Sequence, residues 1–241
     1  MKRIIARLDI KNNTVIKGVH LEGLRKVGEP ITFAERYYEG GIHEIFLNDT
    51  VASLYDRNNL FDILDKTCRR VFVPICIGGG IRSIDDVSKA LQAGADKVAI
   101  NTAIIKNPQL INIIAQKYGS QCLVGSIEAK KLGNSWLCYY DCGRESSGMD
   151  VLEWASEMES RGIGEILLTS IDKEGTKKGF DLDLLNTVCS KVRTPIIASG
   201  GCGSVEHAKR AWEIEGVEAV AVASTLHYGI CQVSDFTRDL A

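Results

Sequence analysis

Two glycine-rich segments of the chain have the residue types and spacing of phosphate-binding loops. Residues 74–83 read PICIGGGIRS and residues 195–204 read PIIASGGCGS, so equivalent positions are 121 residues apart. Each has a short apolar run, then glycines, then a serine suited to cap a helix. Glycines after a strand let an anion approach the backbone, and N–H groups at a helix start attract it. A single segment of this kind could serve only as a turn of the chain. The presence of two equivalent segments favours phosphate binding by the central glycines: Gly79, Gly80, Gly200 and Gly201.

Two carboxylates end apolar runs at corresponding positions of the two halves of the chain. Asp9 lies near the end of the run 4–10, and Glu128 follows the run 123–127. Two carboxylates that face a substrate from opposite sides are typical of general acid–base chemistry. The alternative is that each carboxylate only accepts hydrogen bonds from loop N–H groups.

Further polar residues could complete the site. Lys17 could add a positive charge, although a lysine facing solvent fits its position equally well. Asp172 and Glu174 could position substrate or only cap their own loop. The remaining candidates for binding phosphate or substrate follow apolar runs or lie in that loop: Asn101, Thr102, Thr169, Gly175, Thr176 and Ser224.

Strand-like segments alternate with helix-like segments and must position these residues. The predicted strands are 4–10, 44–47, 71–77, 97–100, 123–127, 165–169, 195–198 and 219–222. Helix signals follow them, and a last short helix is predicted to end at Ala241. Residues 17–30 are predicted to form a polar loop, and Gly133-Asn134 to form the turn of a β-hairpin.

Eight βα units with an internal duplication predict an α/β fold, a single (β/α)8 TIM barrel over residues 1–241. Its two half-barrel repeats would span about 1–120 and 121–241. An open doubly wound sheet would need only one glycine loop and would leave the duplication unexplained. Because such barrels place their sites at the C-terminal ends of the strands, the candidate residues should share one face. Glycine segments on opposite sides suit a substrate with a phosphate at each end.

Composition excludes several classes of partner. The 241 residues carry a net charge of −2, which predicts no nucleic-acid partner and no anionic membrane surface. No apolar run approaches the ~20 residues of a membrane span, and the first residues do not read as a secretory signal. The eight cysteines form no Cys-x-x-Cys pair, which favours reduced thiols in the cytoplasm over disulfides. The four histidines lack ligand spacing, so we predict no metal and no other cofactor.

Taken together, the motifs resemble those of the cyclase subunit of imidazole glycerol phosphate synthase, the HisF type. The resemblance covers nearly the whole chain. It is carried by LDIK at 8–11, VIKG at 15–18, GGGIR at 78–82, DKVAIN at 96–101, EILLTS at 165–170, DKEGT at 172–176 and ASGG at 198–201.

The resemblance implies a carbon–nitrogen lyase that forms a heterodimer with a HisH-type glutaminase. Ammonia released from glutamine would cross the barrel and react with a ribulosyl aminoimidazole carboxamide ribotide that carries two phosphates. The products would be imidazole glycerol phosphate and aminoimidazole carboxamide ribotide, a step of histidine biosynthesis. The resemblance also implies an ammonia gate at the opposite end of the barrel, formed by Arg3, Glu44, Lys97 and Glu165. A related isomerase shares the half-barrel plan but receives no ammonia, so this gate argues against it.

Four positions depart from the family pattern. Glu128 and Glu174 stand where aspartate is usual, Arg7 replaces a small residue, and Val51 replaces a threonine. These changes suggest a reshaped ligand site and keep a second hypothesis open. It is a paralogous barrel that delivers ammonia for acetamidino modification of a bacterial surface sugar, with weak or no cyclase activity.

Overall fold

The structure is a computed structural model that describes residues 2–50 and 60–238. Val51 and the predicted helix end at Ala241 lie outside the described residues. The described strands are β1 (Arg3–Lys11), β2 (Thr14–Val19), β3 (Glu22–Gly28), β4 (Glu44–Asp49), β5 (Ile75–Gly78), β6 (Lys97–Ile100), β7 (Leu123–Leu132), β8 (Ser135–Tyr140), β9 (Glu145–Asp150), β10 (Glu165–Ser170), β11 (Ile196–Ser199) and β12 (Val217–Val222). The described helices are α1 (Pro30–Glu39), α2 (Leu60–Cys68), α3 (Ile84–Gln92), α4 (Thr102–Lys106), α5 (Gln109–Tyr118), α6 (Val151–Ser160), α7 (Leu182–Cys189), α8 (Val205–Trp212), α9 (Ser224–His227) and α10 (Val233–Thr237).

Eight parallel strands close into a barrel, in the order β1-β4-β5-β6-β7-β10-β11-β12. Pairing of β12 with β1 completes the circle, with Ile4 opposite Val220. The helices between these strands cover the outside, where outward-facing residues such as Leu8 join the main apolar core. The predicted (β/α)8 barrel is therefore confirmed.

Side chains that point into the barrel form three levels along its axis. On β1 these residues are Arg3, Ile5, Arg7 and Asp9, because successive side chains of a strand point to opposite faces. Arg3 lies at the N-terminal end, and Asp9 lies at the C-terminal end. The middle level is a separate apolar cluster, here called the interior layer, made of Ile5, Phe46, Cys76, Ala99, Val124, Leu167, Ile197, Ala219 and Ala221. The interior layer thus separates a charged end from a polar end.

Helices follow both glycine segments, as predicted. Ser83 caps α3 in a capping box, in which its hydroxyl accepts from the Asp86 N–H and the Asp86 carboxylate accepts from the Ser83 N–H. Ser204 caps α8 by accepting from the His207 N–H. The shared serine thus has the same structural role in both segments.

The prediction of a polar loop over residues 17–30 is wrong for most of that segment. β2 and β3 form an antiparallel hairpin across residues 14–28. Its turn contains His20 and Leu21 at φ 52° and 64°. A tight hairpin turn needs positive φ and is usually marked by Asn-Gly or Asp-Gly, so His-Leu carried no turn signal. The hairpin predicted at Gly133-Asn134 is confirmed by the pairing of β7 with β8, to which β9 adds a third strand.

In the part of the chain that the structure describes, the helices are all too short or too polar to cross a bilayer. All eight cysteines lie in that part as free thiols.

Candidate functional site

Asp9 lies at the centre of a buried ion-pair network at the C-terminal end of the barrel. Its Oδ1 accepts from Arg7 Nε at 2.9 Å and from Asn48 Nδ2 at 3.0 Å. Its Oδ2 accepts from Lys17 Nζ at 3.2 Å. Lys17 also pairs with the buried Glu174 carboxylate. Lys17 therefore does not face solvent, and the hairpin that carries it is joined to the C-terminal face of the barrel.

The network keeps Asp9 ionised. Burial alone would raise the pKa of this carboxyl, but the charges of Arg7 and Lys17 and the Asn48 hydrogen bond together hold the pKa well below its ordinary value. The same contacts raise the pKa of Lys17 above its ordinary value, because Glu174 and Asp9 outweigh the effect of burial. Asp9 can thus accept a proton or stabilise positive charge, but it has no proton to donate.

Glu128 has the opposite protonation behaviour. Burial raises the pKa of its carboxyl to about 7, although Arg7 and the hydrogen bond from the Gly143 N–H at 2.8 Å act against that rise. A large fraction of Glu128 is therefore protonated near neutral pH. Two carboxylates with pKa values pushed apart in this way can divide the roles of acid and base.

The first glycine segment borders an open cavity of about 340 Å³. We call this cavity the first glycine pocket; its walls include Gly79, Gly80, Asn101, Thr102, Lys106 and Glu128. Phe46, Ala99 and Leu167 of the interior layer form its floor. The pocket therefore extends from the glycine segment to the middle of the barrel.

Position 79 requires glycine because its φ is positive and because the backbone of Asp49 lies close to it. Its φ is 87°, and a Cβ there would lie 2.0 Å from the carbonyl oxygen of Asp49. Because the added methyl would clash with the Asp49 carbonyl, we expect Gly79→Ala to destabilise the fold by about 1–3 kcal/mol more than Gly41→Ala and to weaken binding of inorganic phosphate. Gly41 is a matched control, since it has a similar φ of 84° with no atom within 4 Å of its Cβ position. Denaturant unfolding and calorimetric titration would test this, and equal effects of the two changes would contradict it.

The second glycine segment borders a cavity of only about 10 Å³, close to the volume that one water molecule needs. We call it the second glycine pocket; its walls include Arg7, Glu174, Gly175, Gly200, Gly201 and Ser224. The two segments are alike in sequence, yet the cavities that they border differ greatly in volume.

Several predicted binding residues contact protein groups at this face. Thr169 accepts from Arg7 Nη1 at 3.2 Å, and Thr102 donates to Asp141 at 3.2 Å. Thr176 donates to the Lys173 carbonyl at 2.7 Å within its own loop. Asn101 donates to the Tyr139 carbonyl, while its Oδ1 is buried without a partner and could accept from a ligand.

Asp172 caps a neighbouring strand rather than entering the ion-pair network. Its carboxylate accepts from the Lys131 N–H at 2.8 Å. Of the two acids in this loop, only Glu174 reaches the network around Asp9. Asp172 thus contacts a different element from its own loop, and a substrate-positioning role for Glu174 stays a prediction.

The four residues of the predicted gate form a closed ring at the N-terminal end of the barrel. Glu44 accepts from Arg3 at 2.7 Å and from Lys97 at 2.9 Å. Glu165 accepts from Lys97 at 2.6 Å and pairs also with Arg3. Burial would lower the pKa of Lys97, but Glu44 and Glu165 raise it above its ordinary value. Alternating charges therefore satisfy each other around the axis.

Sequence reasoning missed three residues that touch the central network. Asn48 and Ser199 hydrogen-bond Asp9 and Arg7, and the Gly143 N–H holds Glu128. The period of two along β4 would have found Asn48, since Glu44 and Phe46 also point inward. Gly143 carried no comparable signal, because its role depends on a loop beyond the hairpin. Within residues 2–50 and 60–238, no group of His, Cys, Asp and Glu side chains has the arrangement of a metal site.

Comparison with known proteins supports the resemblance seen in the motifs. The family model described as "Histidine biosynthesis protein" matches residues 3–232. The chain is 60% identical over 205 residues to the imidazole glycerol phosphate synthase subunit HisF of Legionella pneumophila, which covers 85% of this chain and 97% of that protein. It is 47% identical to the HisF subunit of Streptococcus mutans (serotype c, strain ATCC 700610 / UA159), with 97% of this chain and 94% of that protein covered. It is 44% identical to the HisF subunit of Myxococcus xanthus (strain DK1622), with 96% and 92% covered.

Proposed function

The chain belongs to the histidine biosynthesis protein family as a HisF-type cyclase subunit of imidazole glycerol phosphate synthase, an enzyme of the lyase class, and we propose that it uses ammonia from a partner glutaminase. The acceptor is the ribulosyl aminoimidazole carboxamide ribotide. The products are imidazole glycerol phosphate and aminoimidazole carboxamide ribotide.

The observation that carries this proposal is the alignment of three levels along one axis. The charged ring lies at one end, the apolar interior layer in the middle, and Asp9 with Glu128 at the other end. Ammonia is neutral and small, so an apolar interior favours its passage over that of ammonium, whose charge is costly to bury. The first glycine pocket meets this interior at Phe46, Ala99 and Leu167, so ammonia that crossed the interior layer would emerge beside the proposed substrate site.

The two carboxylates supply the proton transfers in this proposal. Asp9, held ionised by Arg7 and Lys17, accepts a proton as the ammonia nitrogen adds to the carbonyl carbon of the acceptor. Glu128, with its raised pKa, donates a proton to the nitrogen that departs when the carbon–nitrogen bond breaks. Following loss of the ribulosyl intermediate with ammonium as nitrogen source tests the cyclase activity without any partner. Absence of turnover would contradict it.

Lys97→Ala is expected to separate ammonia delivery from chemistry. Lys97 contacts both acids of the ring but lies beyond the interior layer from Asp9. Removing it leaves Glu44 buried with one partner fewer, which disturbs the ring. We expect glutamine-driven turnover with a glutaminase to fall about tenfold, an effect of about 1.4 kcal/mol, while ammonium-driven turnover changes little.

Lys2→Ala is the matched control for that experiment. Lys2 lies at the same end of the barrel but donates to the Val217 carbonyl outside the ring. Lys2→Ala should leave the glutamine-driven and ammonium-driven rates near those of the unchanged chain. Equal losses of the glutamine-driven and ammonium-driven rates in Lys97→Ala would show that the ring is not a gate.

A second candidate function is favoured by the filled second glycine pocket and by Glu128. In it the barrel delivers ammonia to another acceptor, for acetamidino modification of a bacterial surface sugar, and has weak or no cyclase activity. The ammonium assay decides between the candidates. If the chain is inactive and Glu128→Asp restores turnover, the first candidate fails for the chain as it stands.

A further inference from the structure

We propose that Arg7 is a further catalytic residue, whose guanidinium donates to the carbonyl oxygen of the acceptor while ammonia adds to the carbonyl carbon. This inference deepens the proposed function and rests on it, since it takes the ribulosyl acceptor as the ligand at the C-terminal face of the barrel. It concerns one of the four positions at which this chain departs from the family pattern.

Arg7 is the part of the ion-pair network that borders the ligand space. The charged residues of this network, all within the described chain, are Arg7, Asp9, Lys17 and Glu174. Of these four, only Arg7 contributes to the wall of the first glycine pocket. Its Cζ lies 5.9 Å from the centroid of the Phe46 ring, which belongs to the interior layer and to the floor of the same pocket. Arg7 therefore lies beside the point at which ammonia would leave the interior layer.

Three protein acceptors hold the Arg7 guanidinium in place. Its Nε donates to Asp9 at 2.9 Å, and its Nη1 donates to Thr169 at 3.2 Å and to Ser199 at 3.0 Å. An arginine side chain has five N–H donors, so these contacts leave the two donors of Nη2. Among residues 2–50 and 60–238, no group accepts from Nη2. The guanidinium is thus fixed in position and still has donors for a ligand.

The first glycine pocket has room for the acceptor beside this guanidinium. Its volume is about 340 Å³, whereas the second glycine pocket, which Arg7 also borders, has about 10 Å³. Glu128 lines the first glycine pocket from β7, which lies opposite β1 in the barrel. The carbonyl oxygen and the nitrogen that departs can therefore be contacted from opposite sides, by Arg7 and by Glu128.

A fixed guanidinium suits the charge that develops when ammonia adds. As the ammonia nitrogen bonds to the carbonyl carbon, the π electrons of the C=O bond move onto oxygen, and the proton that nitrogen loses passes to Asp9. The oxygen thus becomes an alkoxide, which charged donors bind more strongly than they bind the original carbonyl. Because Asp9, Thr169 and Ser199 already hold the guanidinium, it need not reorganise during the step. Arg7 would therefore lower the barrier to addition.

Infrared spectroscopy of the bound acceptor tests this contact directly. The ribulosyl acceptor, isotopically labelled at its carbonyl carbon, is bound to the chain without ammonia. We expect its carbonyl stretch to lie at a lower frequency in the unchanged chain than in water, and to lose that shift in Arg7→Met. Lys106→Met is the matched control, since Lys106 lines the same pocket and its ammonium lies 5.2 Å from the Tyr140 ring. This variant removes a positive charge from the pocket but should keep the shift.

The pH profile separates a direct contact from an effect exerted through Asp9. Arg7→Met should lower kcat for ammonium-driven turnover by about 10²-fold, as loss of one oxyanion donor does. At a constant concentration of free ammonia, that loss should persist as pH rises. If Arg7 served only to keep Asp9 ionised, the rate of Arg7→Met would instead recover at higher pH, and such a recovery would overturn the inference.

The spectrum and the turnover assay can fail separately. Ammonium-driven turnover with an unshifted carbonyl stretch in the unchanged chain would overturn the inference alone, and this result does not depend on the folding of any variant. A shift that survives in Arg7→Met, or that is lost equally in Lys106→Met, would also overturn it. A shifted stretch without ammonium-driven turnover would count against the proposed function only. Failure of the unchanged chain to bind the acceptor would overturn both.

Discussion

Asp9→Asn is expected to lower ammonium-driven turnover by about 10³-fold while leaving ligand affinity nearly unchanged. The carboxylate of Asp9 is ionised at neutral pH, because Arg7 and Lys17 outweigh the effect of its burial and hold its pKa well below the ordinary value. An amide of the same shape cannot accept the proton from the attacking nitrogen. Its Oδ1 can still accept the hydrogen bond from Arg7 Nε, whereas its NH2 group cannot accept from Lys17 Nζ, so the variant keeps the shape of the side chain and loses its buried ion pairs.

The measurement is kcat for ammonium-driven turnover together with the Kd of the ribulosyl substrate. Asp150→Asn is a matched control, since Asp150 caps α6 by accepting from the Leu152 N–H at 2.8 Å, far from the network in sequence. Asparagine caps helices about as well as aspartate, so this control should leave both quantities unchanged. A loss of affinity in Asp9→Asn as large as the loss of kcat would make Asp9 a binding residue instead.

Glu128→Gln is expected to lower kcat by about 10²-fold and to remove a pH dependence centred near 7. Burial raises the pKa of Glu128 to about 7, so the protonated form that donates to the leaving nitrogen is lost as pH rises through that value. At a constant concentration of free ammonia, the kcat of the unchanged chain should therefore fall as pH rises from 6 to 8, whereas that of Glu128→Gln should stay flat. A rate that rises with pH over this range would instead identify Glu128 as a base.

The raised pKa of Glu128 also makes the stability of the fold depend on pH, and this dependence can be measured independently of activity. The pKa of Glu128 is raised in the folded state from its ordinary 4.5 to about 7. The resulting contribution to stability is therefore complete below about pH 4.5 and is lost as pH rises through about 7. Glu128→Gln should remove this part of the pH dependence of unfolding. This pH dependence of unfolding does not depend on the activity of the enzyme, so it tests the burial of the Glu128 carboxyl separately from its proposed role as proton donor.

Much of the fold could be predicted because its signals are local and repeated. The alternation of short apolar runs with capped helices, doubled at an offset of 121 residues, is typical of a half-barrel duplication. The period of two then determines which residues of β1 face the axis, including Arg3 and Asp9. The hairpin of β2 and β3 escaped prediction, because its turn at His20 and Leu21 lacks the residues that normally mark one. The tertiary structure adds a contact at that turn, where the His20 N–H donates to the Glu174 carbonyl at 2.8 Å.

The sequence by itself determined that this chain forms a barrel with two similar glycine segments and with acids near the ends of opposite strands. Only the tertiary structure decided that the two segments border unequal pockets, one open and one filled. The physical reason is that a backbone loop is encoded by adjacent residues, whereas the space beside it depends on side chains from distant elements. Here Glu174 from the loop after β10 lines the second glycine pocket and not the first, whereas Arg7 from β1 contributes to the walls of both. Their ion pairs with Asp9 and Lys17 exist only once the barrel has closed.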